Sequence, residues 1–284
     1  MKLFLLLFLF VEAHAAGVLA GRATLKNPIL LVHGSSMGGA YLRVGPLHFG
    51  DYWRDIPAWL SSTGTTVKIA QLTTDASIGE RAAILKNLLE TELKGKKVNI
   101  IAHSLGGLDA RYLASVLRST QVASITTIAT PHYGTPLTDW ALQEAKDRGF
   151  WFWFFRLCGF DMSGRKFLGE TSPHFVANNF NPKVPDVKSV RYFSIATKAS
   201  FSESNMSWLL WFTSRWLEGR QDPLTRGGHD GLVPLTSQRW GEVIAELPMD
   251  HLAQMNHHMF RKNMEAESQA LYALIYDHLL GAGL

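Results

Sequence analysis

The six residues Ala102-His-Ser-Leu-Gly-Gly107 constrain this chain more than any others. Ahead of them, Val98-Asn-Ile-Ile-Ala102 is an apolar run of strand length. Behind them, Leu108 to Leu117 carries helical spacing. A serine at the sharp junction of a buried strand and a helix is lifted clear of the sheet, with the positive end of the helix behind it. The turn is strained, so the side chains two before and two after the serine must be very small. Gly106 meets that need, and Ala102 adds only one methyl group to the glycine more usual there. The segment therefore predicts an elbow of Ala102, His103 and Gly106 around Ser104, with Ser104 a candidate nucleophile.

The surrounding pattern alternates. Pro28-Ile-Leu-Leu-Val32 reads as a buried strand ending at His33-Gly34, and Trp53 to Leu60 as a helix with Trp53, Ile56 and Leu60 on one face. Val67 to Leu72 is the next strand. Ser77-Ile-Gly-Glu80 is a capping box that opens a helix to about Leu93, with Ile78, Ala82, Leu85, Leu89 and Leu93 near one stripe. Val122 to Ala129 follows the elbow helix as a further strand. This β-α-β-α-β order predicts an α/β fold with a mostly parallel sheet and helices on both faces. From about 137 to 180 the chain turns helical and loop-like around Phe150-Trp-Phe-Trp-Phe-Phe155, and Val187 to Thr197 restores a strand. A second aromatic helix spans about 207–217, residues 219–231 read as a loop, and a last helix runs from about Arg261 to Leu280. With 46% hydrophobic residues in 284, the chain has the means for a large core. The simplest division is one domain, 16–284, carrying a helical insertion.

Lys2 followed by the apolar run Leu3 to Val11 and by Ala13-His-Ala15 predicts a secretory signal peptide, residues 1–15, and hence an exported (periplasmic or secreted) protein. A single cysteine, Cys158, rules out an intramolecular disulfide and is expected to be a small buried hydrophobe. A net charge of +4 with scattered Lys and Arg excludes the basic stripe of a nucleic-acid surface.

A serine nucleophile needs a base, and the base needs an acid to orient it. For this strand-turn-helix arrangement the chain order is serine, acid, histidine. His229-Asp230-Gly-Leu-Val-Pro234 supplies the acid, with Asp186 the nearest rival. Beyond Asp230 stand His251, His257, His258 and His278. His278 belongs to the terminal helix, and His251, which follows Pro248 in a loop, is preferred over His257 and His258. The turn at His33-Gly34 predicts one oxyanion donor, the N–H of Ser35, and the residue after the serine predicts the other, the N–H of Leu105.

With Pro28-Ile-Leu-Leu-Val-His-Gly34, Val98-Asn-Ile-Ile-Ala-His-Ser-Leu-Gly-Gly107, Asp230-Gly-Leu-Val-Pro234 and Asp250-His-Leu-Ala-Gln-Met-Asn256 in view, the chain resembles the bacterial triacylglycerol lipases of the Pseudomonas and Burkholderia type. The likeness covers most of 28–135 and returns at about 180–260. It implies the α/β-hydrolase fold, a helical cap or lid, and a triad of Ser104, Asp230 and His251. It also implies a structural calcium, for which Asp222 matches one ligand, but Ala253 stands where a second aspartate belongs. Calcium prefers six to eight oxygens, so no cofactor is expected to be required. Trp151, Trp153, Phe154, Trp208 and Trp211 are the candidate lid and substrate residues, facing either a lipid surface or the core of a cap. The expectation is an exported esterase or lipase acting on a lipid or other ester substrate, with transient contact with a lipid surface. Phospholipase A1 or acyltransferase chemistry on the same triad is the alternative, and a non-catalytic binding protein a remoter one.

Overall fold

A computed structural model describes residues 19–35, 41–44, 47–150, 166–220, 222–258 and 265–284. The predicted signal peptide, Cys158 and the aromatics Trp151, Trp153 and Phe154 lie outside these residues.

Strands β1 (Ile29–Val32), β4 (Val67–Ile69), β5 (Val98–His103), β6 (Val122–Ile128), β7 (Arg191–Thr197) and β8 (Glu242–Leu247) form a six-stranded sheet in the order β4-β1-β5-β6-β7-β8. Every neighbouring pair in it is parallel. The apolar run of β1 is continuous because both faces of the sheet are covered. Ile29 and Leu31 join Ile101 in one core with Ile56, Trp59, Tyr272 and Tyr276. Their neighbours Leu30 and Val32 join Ile100 and Ala102 in another, with Ala82, Leu85, Leu89 and Leu113. Alternate residues of one strand thus bind helices on opposite faces. Each fully buried aliphatic side chain contributes about 1.5–3 kcal/mol relative to exposure.

The first core is closed by α1 (Ile56–Ser61) and by α7 (Glu265–Gly281). The second is closed by α2 (Ile78–Thr91) and α3 (Gly106–Ser115). The capping box forms as the residues predict: Ser77 N–H donates to Glu80 Oε2 at 2.8 Å, and Glu80 N–H to Ser77 Oγ at 3.3 Å. Leu108 of the elbow helix packs with α4 (Pro136–Asp147) and α5 (Lys166–Glu170), and α6 (Trp211–Glu218) packs on α4. No described helix is long and apolar enough to cross a membrane.

Several boundaries differ from the sequence reading. The first helix starts at Ile56, because Tyr52 to Arg54 form turns; Pro57 then sits in its first turn, where no N–H is needed. The strand expected at Val67 to Leu72 pairs only to Ile69, and that expected from Val187 begins at Arg191. The elbow helix begins at Gly106. The second aromatic helix is a 3-10 turn, Trp208–Leu210, followed by α6. Two elements were not anticipated: an antiparallel pair, β2 (Tyr41–Val44) with β3 (Leu47–Asp51), and the edge strand β8. In β8 Glu242, Val243 and Glu246 are exposed and the remaining residues half-buried, as suits an edge with one free side.

Candidate active site

Strand β5 ends at His103 and α3 begins at Gly106, so the whole reversal falls on Ser104 and Leu105. Ser104 takes a left-handed backbone, φ +56°, which a non-glycine residue adopts at a cost of about 1–3 kcal/mol. The strained turn is anchored on both sides: Ser104 N–H donates to Ile128 O at 2.9 Å, and Thr130 Oγ1 donates to Ser104 O at 2.7 Å. Gly106 is required by contact, since a Cβ there would stand 2.6 Å from Val32 O. Ala102 is fully buried between β1 and β6.

The end of β1 lies against the same turn. A Cβ on Gly34 would fall 2.7 Å from Cβ of Ser104, so the loop carrying Ser35 passes directly beside the serine. Neither Ser35 N–H nor Leu105 N–H makes a hydrogen bond among the described residues, and both are candidate oxyanion donors. His33 holds this loop from within. Its Nε2 accepts the Leu72 N–H at 3.0 Å, which leaves Nδ1–H to donate to Gly34 O at 2.8 Å. Burial, assisted by nearby Arg81, lowers the His33 pKa to about 4 and keeps the ring neutral.

Arg81 is the second support. Fully buried in α2, it donates to His33 O at 2.7 Å, Gly34 O at 3.2 Å and Thr73 O at 3.1 Å, and pairs with the buried Asp109 of α3 at 2.8 Å. Burial raises the Asp109 carboxyl above the usual carboxylate range, and the Arg81 guanidinium draws it back down. Neither residue was singled out in the sequence. Each stands beside an apolar stripe, and only the packing of α2 on α3 puts the two charges together.

Asp230 and His251 meet. The Asp230 carboxylate is fully buried, with Oδ1 accepting Leu232 N–H at 3.0 Å and Val233 N–H at 2.8 Å. Oδ2 lies 2.7 Å from His251 Nδ1, and the His251 N–H also donates to Asp230 O at 2.9 Å. Burial alone would raise the carboxyl. The His251 ring and the two backbone donors outweigh it and leave Asp230 below its ordinary value. The turn itself needs Gly231, at φ +100°. The His251 ring lies 4.5 Å, centroid to centroid, from that of His103, the residue before Ser104. The half-buried Ser104 hydroxyl makes no hydrogen bond among the described residues.

The rivals point elsewhere. Asp186 accepts from Trp240 Nε1 at 2.9 Å, His257 Nε2 lies 3.0 Å from Asp51 O, and His258 Nε2 lies 3.0 Å from Ser268 Oγ. The candidate calcium ligands do not fit a metal. Asp222 Oδ1 accepts Leu224 N–H at 2.9 Å as the cap of a 3-10 turn, and Ala253 offers only a methyl group. Among the described residues no group of three or more His, Cys, Asp or Glu is placed to hold a metal ion. Next to His251, Asp250 does structural service instead. Its Oδ1 accepts the N–H groups of Leu252 (2.9 Å) and Ala253 (2.8 Å), and its Oδ2 that of Ser207 (2.6 Å).

Of the aromatic candidates, Trp208 and Trp211 are 59% and 57% exposed. Phe212 and Trp216 turn the other way and pack on Trp140 of α4, at 5.3 and 5.9 Å between ring centroids. The aromatic segment therefore packs on α4 with one side and presents two indoles outward with the other.

A parallel sheet of this order with a strained serine at the end of β5 defines a class. The chain belongs to the alpha/beta hydrolase fold family, whose pattern it matches over residues 55–235. It is 32% identical over 221 residues to "Triacylglycerol lipase 2" of Saccharomyces cerevisiae, covering 72% of this chain and 62% of that one. It is 35% identical over 130 residues to a triacylglycerol lipase of Burkholderia plantarii, covering 44% of this chain and 35% of that one. The chain thus spans less than two thirds of the length of either relative. In three dimensions it superposes on the lipase of Staphylococcus hyicus with a TM-score of 0.69 at 19% identity, over 89% of this chain and 95% of that one, a likeness of fold.

Proposed function

We propose that this protein is an exported serine hydrolase that cleaves carboxylic esters of lipids through an acyl-enzyme. The observation that carries this reading is the buried Asp230–His251 pair, 2.7 Å apart, with the His251 ring 4.5 Å from that of His103, the residue before the left-handed Ser104. In the first half-reaction His251 Nε2 takes the Ser104 proton as Oγ attacks the ester carbonyl. The N–H groups of Ser35 and Leu105 hold the oxyanion, each donor being worth about 2.7–4 kcal/mol at the transition state. His251 then protonates the departing alkoxide, and Asp230 stabilises the imidazolium throughout. Water, deprotonated by His251, attacks the acyl carbonyl, and Ser104 leaves with its proton restored. The Ser104–His251 contact closes when substrate is engaged, as such contacts commonly do.

Lipid esters are favoured over small soluble ones by the outward Trp208 and Trp211 and by the named activities of the relatives. Export rests on the Lys2 to Ala15 leader pattern alone. No calcium is needed on this reading, because Asp250 already ties the His251 loop through three N–H groups. Dialysis against EDTA is expected to leave the rate within about twofold and the stability unchanged, since removing an ion that is not bound shifts neither.

The test is labelling by a fluorophosphonate together with rates on emulsified long-chain acylglycerols and on soluble short-chain esters. Labelling is expected in the wild type, not in Ser104→Ala, and the emulsified substrate is expected to be preferred. A wild type that resists the label removes the serine mechanism, and a preference for soluble esters removes the lipid assignment. Product analysis separates acylglycerol hydrolysis from attack on phospholipids or acyl transfer, which use the same residues.

A further inference from the structure

Asp230 has a neighbour that the mechanism does not use. Gln254 Nε2 lies 3.3 Å from Asp230 Oδ2, the same oxygen that meets the His251 ring. Gln254 is fully buried, and its backbone is held by Tyr272, whose hydroxyl donates to Gln254 O at 2.9 Å. Its amide oxygen lies 2.7 Å from Nε2 of His103. The other nitrogen of that ring, Nδ1, lies 2.6 Å from the Tyr52 hydroxyl, which also accepts the Gly34 N–H at 3.0 Å. An unbroken line of buried polar groups therefore runs from the loop before Ser35 to the acid of the pair.

The chemistry of the groups sets the direction of each bond. An ionised carboxylate accepts only, so the Gln254 amide nitrogen faces Asp230 and its oxygen faces His103. That oxygen also accepts only, so His103 Nε2 carries a proton. Burial, reinforced by the nearby His251, keeps the His103 pKa well below the ordinary value, so the ring is neutral and Nδ1 is bare. Tyr52, whose phenol is held protonated by burial, then donates its O–H to Nδ1. The second amide hydrogen of Gln254 goes to Thr197 Oγ1, so every polar atom in the line is satisfied. All the bonds run one way, from Gly34 N–H to Asp230, and bonds so ordered polarise one another.

We propose that Tyr52, His103 and Gln254 are positioning residues that hold the oxyanion loop and the Asp230–His251 pair in register through this one-directional chain of hydrogen bonds. The proposal rests on the serine mechanism above and concerns only how its two halves are aligned. No proton moves along the chain, and none of the three touches the ester. At one end Tyr52 fixes the Gly34 N–H and so the neighbouring Ser35 N–H. At the other, Gln254 restrains the carboxylate so that Oδ2 stays in line with His251.

The experiment compares Tyr52→Phe, Gln254→Leu, the double variant and Gln254→Glu in the full chain, with a soluble ester as substrate and fluorophosphonate labelling alongside. Each single variant is expected to lower kcat about ten- to a hundredfold, the effect of one hydrogen bond to a charged or buried partner, with KM little changed. The double variant is expected to lose no more than the worse single, because both cut the same chain. Glutamate at 254 keeps both bonds while protonated, and presents a second negative charge to Asp230 once ionised. Its activity is therefore expected near wild type at acid pH, with a descending limb as pH rises that the wild type lacks. Single variants within twofold of wild type, multiplicative losses in the double, or a Gln254→Glu profile shaped like the wild type overturn the proposal. Failure of the wild type to label at Ser104 overturns instead the mechanism on which it rests.

Discussion

His33 shows how a residue that performs no chemistry can set the conditions under which the site survives. It is buried and neutral, with its pKa lowered to about 4 by desolvation. In the unfolded chain it titrates near its ordinary value of about 6.5. Between those limits the unfolded state binds the extra proton, so stability rises with pH across the window. The contribution is fully present above about pH 6.5 and is lost as pH falls towards 4. At pH 5 the loss from this one group is about 2 kcal/mol, from about 1.36 kcal/mol per pH unit. His33→Gln keeps an amide within reach of Leu72 and Gly34 and removes the titration. Urea unfolding at pH 7.5 and pH 5 is therefore expected to show wild type losing about 2 kcal/mol more than the variant. Equal losses in both would mean that His33 does not titrate in this way.

Helices α2 and α3 do more than cover one face of the sheet. Their packing buries Arg81 against Asp109, and from there the guanidinium reaches three carbonyls at the end of β1 and beyond. Removing one partner of such a pair strands the other charge in a dry site, at a cost of about 3–5 kcal/mol. Arg81→Met is expected to lower the unfolding free energy measured in urea by that amount, and adding Asp109→Leu to recover part of it. The recovery is incomplete, because His33 O and Gly34 O remain without their donor. A double variant no more stable than Arg81→Met would show that the carboxylate is not what makes the loss large. The elbow depends on its neighbours in the same way. Ser104 keeps its left-handed backbone only because Ile128, Thr130 and the close approach of Val32 leave the turn no room to relax.

At the scale of the whole molecule, the segment 206–211 is joined to the loops that carry Asp230 and His251. Ser207, next to Trp208, donates to Asp250, the residue before His251. A Cβ on Gly231 would meet Leu210 at 2.8 Å and Met206 at 3.0 Å, so the acid loop is pressed against the same segment. The segment that presents Trp208 and Trp211 outward therefore rests on the residue after Asp230 and the residue before His251. On the lipid reading, replacing both indoles by serine is expected to lower the rate on a long-chain emulsion about tenfold or more, the weight of one buried side chain. The rate on a soluble ester is expected to stay within about twofold. Parallel losses on both substrates would assign the indoles to the stability of the cap instead.

Most of the order of strands and helices, and the strand-turn-helix at Ser104, were legible in the sequence, because each is written locally. Continuous apolar runs mark strands buried on two faces, and small residues mark the turn whatever surrounds it. Strand β8 was not legible, since a half-exposed edge strand with two glutamates carries no run to recognise. His251 was preferred over His257 and His258 for its place in the loop after Pro248, and the three face different partners in the structure. Arg81, Tyr52 and Gln254 were hidden, because nothing local marks them. A polar side chain becomes structural only when distant segments bring it a partner, and the cost of burying it unpaired is what then holds those segments in place. The sequence by itself determined which chemistry the chain is equipped for. Only the tertiary structure decided which buried dipoles line up beside Asp230, His251 and the elbow, because distant segments meet only when the chain packs.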